Sequence, residues 1–224
     1  MYVKRFHLLI SGLLIMAFLL TGCGGSKPAE KGPGGKKDSL NFAILAETKE
    51  LDPQKSSDTL TYMLLLQVFD TLIQQQPNGT LVPALAEKWV ISPDGKEVTF
   101  TIKKGVKFHN GDVLTTKDVA FSLNRAIKSA YTSKFTNVMQ SAEAVDDSTV
   151  KLKLKHAYGP ILFSVANPSL AIVSQKAVEA AGDSFGKNPV GTGPYKFVKW
   201  VSGEKIDLTR FDDYFRGPAK IKNV

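Results

Sequence analysis

Val150-Lys151-Leu152-Lys153-Leu154-Lys155 alternates apolar and basic residues without exception. Successive side chains of an extended chain point to opposite faces, so this segment reads as a strand with one face in a core and the other in water. Val98-Thr99-Phe100-Thr101-Ile102-Lys103 repeats the pattern, with Val98, Phe100 and Ile102 on one side. Pro93-Asp94-Gly95 stands just before it. Proline presets φ and glycine accepts the positive φ that follows, so this tripeptide predicts a hairpin between Lys88-Trp89-Val90-Ile91 and the second strand. Pro77-Asn78-Gly79 and His109-Asn110-Gly111-Asp112 signal further turns. A helix is expected from Thr115 or Thr116, with Asp118 in its first turn and Val119, Leu123, Ala126 and Ile127 as its buried stripe. Together these segments predict a small α+β unit.

Other elements flank it. Leu40-Asn41-Phe42-Ala43-Ile44-Leu45 reads as a buried first strand, ending before Asp52-Pro53, where proline disfavours helix. A helix over residues 59–73 follows, capped by Ser57 or Asp58 and apolar on nearly every side, which predicts deep packing. Toward the other end the pattern predicts a helix over 175–181 and strands over 195–201 and 205–210. Ile221-Lys222-Asn223-Val224 reads as the opening of a further strand, so the expectation is an interrupted chain.

The first residues follow a different logic. Lys4 and Arg5 precede an uncharged run of 13 residues from Leu8 to Leu20. A spanning helix needs about 20 residues, so the run reads instead as the core of an export signal. It ends in Leu20-Thr21-Gly22-Cys23, which resembles the lipobox of bacterial lipoproteins, where the cysteine is lipidated and becomes the mature N-terminus. Cys23 is the single cysteine, so an intrachain disulfide is impossible. Residues 24–37 are rich in glycine, with Pro28, Pro33 and four lysines; such a segment buries too little to fold and reads as a tether.

Composition narrows the function classes. The chain is 43% hydrophobic and 22% charged, which fits a folded protein, and its net charge of +8 is spread along the chain rather than gathered in a nucleic-acid-binding motif. Beyond His7 in the leader, His109 and His156 sit in no metal-ligand spacing and read as turn or surface residues. No Gly-x-Ser-x-Gly or Walker motif occurs. Gly191-Thr192-Gly193 leads into Pro194 and a strand rather than a helix N-terminus, which argues against a phosphate cradle. Asp146-Asp147 and Asp212-Asp213 read as solvated turns. The expectation is therefore a non-enzyme without metal or cofactor.

Several phrases carry a resemblance. They are Leu51-Asp52-Pro53-Gln54, Pro83-Ala84-Leu85-Ala86-Glu87-Lys88-Trp89, the run from Phe100 to Asp112, the run from Leu114 to Leu123, and residues 188–196. In order and spacing they resemble family 5 extracellular solute-binding proteins of ABC importers, the oligopeptide, dipeptide and nickel group. The resemblance covers residues 40–224. It implies an α/β (mixed α+β) fold: a type II periplasmic-binding-protein-like large lobe with an inserted small α+β domain, the second lobe lying outside this sequence. The domains so implied are a signal peptide (1–22), a lipidated tether (23–38), large-lobe segments (39–70 and 169–224) and the small domain (71–168).

The same resemblance implies a hinged protein that captures a small ligand, foremost a peptide, and delivers it to ABC permease subunits. Nickel chelates or oligosaccharides are the alternatives within the family. A surface receptor or adhesin without an import role, or an exported hydrolase, are the alternatives beyond it. The remaining partner is membrane lipid through Cys23, with no nucleic acid. The expected location is the outer face of the cytoplasmic membrane, facing the periplasm where there are two membranes. Ser57, Asp58, Thr59 and Tyr131 are the candidate ligand-binding residues. Helix capping is the alternative role for the first three, and core packing for Tyr131. With half of the cleft outside this sequence, weak ligand binding and exposed apolar surface are expected.

Overall fold

A computed structural model describes residues 38–224. The expected leader, Cys23 and nearly all of the tether lie outside the described residues. Ile73–Gln75 (β1) and Leu81–Pro83 (β2) form a short hairpin around Gly79, whose φ is 83°. Ala86–Ile91 (β3) and Glu97–Ile102 (β4) pair across the Pro93-Asp94-Gly95 turn, as the sequence predicts. There Gly95 has φ of 68° and the Ser92 N–H donates to the Glu97 carbonyl at 2.9 Å. Met139–Ala144 (β5) and Thr149–Leu154 (β6) complete an antiparallel sheet of order β3-β4-β6-β5.

The register aligns the apolar positions. Trp89 faces Phe100, which faces Val150, and Val98 faces Leu152. Val98, Phe100, Ile102, Val150, Leu152 and Leu154 are all buried, so the two alternating segments share one covered face.

One long helix contributes to this core. Thr59–Val68 (α1) precedes the sheet; Thr116–Lys128 (α2) packs into it through Val119, Leu123 and Ala126. A reciprocal capping box starts α2: the Thr115 hydroxyl accepts from the Asp118 N–H at 3.2 Å, and the Asp118 carboxylate accepts from the Thr115 N–H at 3.0 Å. The other Asp118 oxygen accepts from the Gln175 N–H at 3.0 Å, tying α2 to the later chain. Three short helices follow, Ser133–Thr136 (α3), Ile161–Val165 (α4) and Gln175–Ala181 (α5), the last with the predicted bounds.

A second core gathers Leu51, Leu65, Val68, Phe69, Val173, Phe185, Tyr195 and Leu208. Tyr195–Val201 (β7) and Lys205–Arg210 (β8) supply its sheet, again with the predicted bounds. The two cores share a wall. Leu170 and Ile172 belong to the first, Ala171 and Val173 to the second, so the end of the turn Pro168–Leu170 and the extended residues after it feed both cores alternately. Ile172 is held there by a 2.9 Å hydrogen bond from its N–H to the Asp70 carbonyl.

Three expectations need correction. The helix expected through Ile73 ends at Val68. Gly193 donates its N–H to the Val68 carbonyl at 2.9 Å, and a Cβ on Gly191 would lie 2.0 Å from that carbonyl oxygen. The incoming glycine segment therefore occupies the path of the next turn, and Phe69, Leu72 and Ile73 are buried as extended chain instead. Nor is α1 packed on every side, since Met63 and Leu66 are exposed. The strand expected over Leu40 to Leu45 does not form either, and the segment is not buried. Ser39 bridges Asn223, and the Leu40 N–H donates to the Asn223 carbonyl, but Leu40, Phe42 and Leu45 are exposed, Leu45 fully at 100%. Among the described residues nothing covers their apolar side.

Candidate functional site

The loop after Leu51 is fixed from three directions. Asp52 caps the single turn Pro53–Lys55, its Oδ1 accepting from the Gln54 N–H at 3.1 Å. Arg125, in the last turn of α2, places its planar fork on the same carboxylate, Nη1 on Oδ1 at 2.6 Å and Nη2 on Oδ2. Asp52 is 1% exposed and the Arg125 side chain 20%. The Gln54 side-chain amide donates to the Ala171 carbonyl at 2.9 Å, and the Ser129 hydroxyl donates to the Gln54 carbonyl. The Ser56 hydroxyl donates to the Glu50 carbonyl at 2.9 Å.

This bracing presents the next residues to solvent. Ser57, Asp58 and Thr59 are all exposed. Asp58 caps α1, with Oδ1 accepting from the Thr61 N–H at 2.8 Å, and Thr59 is the first helical residue. Of the three capping alternatives, the structure assigns that role to Asp58. Tyr131 lies in the single turn Ala130–Thr132 after α2, where the Ser129 hydroxyl accepts its N–H at 3.3 Å. Its ring is 56% exposed, which overturns the core-packing alternative; the buried member of that turn is Thr132.

Ser57 and Tyr131, 74 positions apart, line one open depression of about 450 Å³ together with Ala130, Ser133 and Lys134. Asp58 and Thr59 do not line it. The lining therefore combines three hydroxyl-bearing residues, one of them aromatic, with one lysine and no acidic residue. Ser133 and Lys134 escaped the sequence reading. The signal was there: Lys134 follows Tyr131 by three positions, the spacing that puts two residues on one side of a helical turn.

The Gly191-Thr192-Gly193 segment is a packing device. The Cβ positions of both glycines coincide with backbone at Val68 and Phe69, leaving no room for a phosphate. Thr192 donates to Asp70 Oδ2 and Tyr214 to Asp70 Oδ1, each at 2.9 Å. Burial pushes the Asp70 carboxyl above its ordinary range, against these two bonds. Burial, with the neighbouring carboxylate, also raises the Tyr214 hydroxyl. His109 stands in the expected turn, half-buried rather than fully exposed, and acts there as a latch. Its Nδ1 accepts from the Gly191 N–H at 3.3 Å, its Nε2 meets the Gly193 carbonyl at 3.0 Å, and its ring stands edge-on to Phe211. Burial lowers its pKa to about 4.

Among the described residues no group of three or more His, Cys, Asp or Glu is placed to hold a metal ion. Among them, too, no helix is long and apolar enough to cross a membrane.

Comparison with known proteins decides the family. The sequence profile of the bacterial extracellular solute-binding proteins, family 5 Middle, matches residues 80–224. The chain belongs to this family. The glutathione-binding protein GsiB of Pectobacterium atrosepticum is 31% identical over 192 residues, covering 84% of this chain and 37% of GsiB. The periplasmic binding protein DppA of Helicobacter pylori, solved with the peptide STSA, superposes with a TM-score of 0.73 at 31% identity, covering 80% of this chain and 40% of DppA. NikZ of Campylobacter jejuni, solved with Ni(L-His), gives a TM-score of 0.74 at 28% identity, covering 84% and 38%. This family 5 chain thus has the mixed α/β fold of periplasmic binding proteins, and it spans about two fifths of the length of these relatives. GsiB and DppA are both named as binding proteins.

Proposed function

We propose that this chain supplies one wall of an extracytoplasmic solute-capture site that serves an ABC importer, with peptides as the principal solute. The observation that carries the reading is the depression where Ser57 and Tyr131 meet on braced backbone. A capture site needs donors, acceptors and a ring held still before the solute arrives, so that little entropy is lost on binding. Arg125, Asp52 and Ser129 do that holding, while Asp58 and Thr59 start the helix behind Ser57. The relatives support the solute class: one is named for glutathione, itself a tripeptide, and one was solved with a peptide. The nickel complex of NikZ keeps a chelate as the alternative solute.

In this reading residues 39–70 and 169–224 form the large lobe and 71–168 the small domain. Two cores joined through the alternating 170–173 wall support that division. Solute bridging this wall and an opposing one favours a closed form, which the permease then receives. Residues 1–22 direct export, and Cys23 carries the lipid that keeps the protein at the outer face of the cytoplasmic membrane.

Two experiments test these parts separately. Tyr131→Ala weakens binding of a tetrapeptide or of glutathione by about tenfold, roughly 1.4 kcal/mol, without lowering the melting temperature, since the ring is exposed. Equal affinity in Tyr131→Ala and Ser57→Ala would remove this surface from the site. For the anchor, Cys23→Ser moves the protein from the membrane fraction to the soluble fraction of an expressing bacterium. A wild-type protein with an intact Met1 and a free thiol would contradict lipidation.

A further inference from the structure

We propose that Gln54 is a positioning residue for solute capture, setting the gap between the two sides of the depression. The proposal rests on the capture reading above and names what keeps that surface in shape. One side is Ser57, on the loop leading into α1; the other is Ala130, Tyr131, Ser133 and Lys134, after α2. Among the described residues, every hydrogen bond between 52–59 and 125–134 ends on Asp52 or Gln54. Arg125 donates to both Asp52 carboxylate oxygens and to the Gln54 side-chain oxygen, and the Ser129 hydroxyl donates to the Gln54 carbonyl.

Gln54 reaches one element that Asp52 does not. Its side-chain nitrogen donates to the Ala171 carbonyl at 2.9 Å, and Ala171 belongs to the wall between the two cores. Its own N–H is committed to Asp52 Oδ1 at 3.1 Å. All four polar groups of this buried residue are therefore engaged, and the loop cannot slide against α2 or the wall without breaking one of these bonds. The Ser129 hydroxyl completes the route to the ring. It donates to the Gln54 carbonyl and accepts from the Tyr131 N–H at 3.3 Å, so the turn that carries Tyr131 hangs on the same residue. Gln54 does not line the depression. Its part is to keep Ser57 and Tyr131 at one spacing before solute arrives, which spares the entropy of ordering them on binding.

The test is calorimetric titration of glutathione and of tetra-alanine into the wild-type chain, Gln54→Met, Ser129→Ala, Tyr131→Ala and the two double variants that contain Tyr131→Ala. Gln54→Met keeps the length of the side chain and removes its bonds to Arg125 and Ala171. Gln54→Met and Ser129→Ala each weaken both probes by about three- to tenfold, the range of one intramolecular hydrogen bond, with the chain fully folded at the assay temperature. A residue with a structural role alone would lower the melting temperature and leave the affinity of the folded chain unchanged. The losses are also non-additive. Tyr131→Ala costs less affinity in either background than in the wild type, because the ring is already out of place. Unchanged affinity in either variant, or additive losses, would overturn the positioning role while a weakened Tyr131→Ala left the capture site standing. If Tyr131→Ala matches the wild type, or neither probe binds the wild type, the capture reading fails and this proposal with it. Should Gln54→Met not fold, Ser129→Ala decides the matter, since it cuts the link between Gln54 and the ring by removing one half-buried hydroxyl.

Discussion

Replacing Arg125 with methionine lowers the free energy of unfolding by about 3–5 kcal/mol, the range for removing one partner of a buried ion pair. Asp52 is 1% exposed, and without the guanidinium its carboxylate keeps only the Gln54 N–H. The pair itself need not be strongly stabilising, because desolvating two charges offsets much of their attraction. The loss arises from stranding one of them. Asp52→Asn added to Arg125→Met therefore restores part of the stability, since a neutral amide is cheaper to bury. Urea unfolding of the wild type, both single variants and the double variant closes the cycle. A loss below about 1 kcal/mol for Arg125→Met would show that the Asp52 loop is not held by this contact. Because the same loop leads into Ser57, the variant also loosens the depression, and solute affinity falls with stability.

The second large effect is a pH dependence at His109. The imidazole is neutral in the fold, with Nε2–H donating to the Gly193 carbonyl and Nδ1 accepting from Gly191. A second proton on Nδ1 would face the Gly191 N–H, donor against donor. The folded pKa is about 4 against 6.5 for the free group, so between those values the unfolded chain binds the extra proton. The stabilisation from a neutral His109 is complete above about pH 6.5 and is lost as the pH falls toward 4, about 3 kcal/mol over the window. Asp70 works in the opposite sense. Its raised carboxyl takes up a proton in the fold before it would in the unfolded chain, so acid favours folding there. The two are separated by measuring wild type minus His109→Gln. That difference in unfolding free energy narrows steadily from pH 7 to pH 4. A difference independent of pH would mean that His109 is not the neutral latch.

Much of the fold was legible because its signals are local. Strict alternation at residues 150–155 and 98–103 gave two strands and their buried faces. Thr115 with Asp118 gave the start of α2, and β7, β8 and α5 came out with the right bounds. What was misread depends on distant chain. Nothing near Val68 says that a helix must stop there; the obstacle is Gly191 and Gly193, more than 120 positions later. Leu40 to Leu45 has the composition of a buried strand, yet burial needs a covering layer that composition cannot supply.

The site shows the same division. Family resemblance drew attention to Ser57 and Tyr131, and the fold brings them together. Sequence alone could not say that Asp52 and Arg125, 73 positions apart, brace the loop between them. Nor could it separate an exposed Tyr131 from a buried one, since tyrosine serves both roles. Cα geometry after α2 decides the matter: the single turn Ala130–Thr132 buries the threonine and turns the ring outward.

Amide hydrogen exchange on the chain, with and without a saturating mixture of tri- and tetrapeptides, tests the proposed solute wall most directly. Slowed exchange concentrated at residues 55–59 and 129–134, with the β3–β6 sheet unchanged, is the expected result. Protection confined to that sheet or to β7 and β8, with the amides around Ser57 and Tyr131 exchanging as before, would place the solute elsewhere.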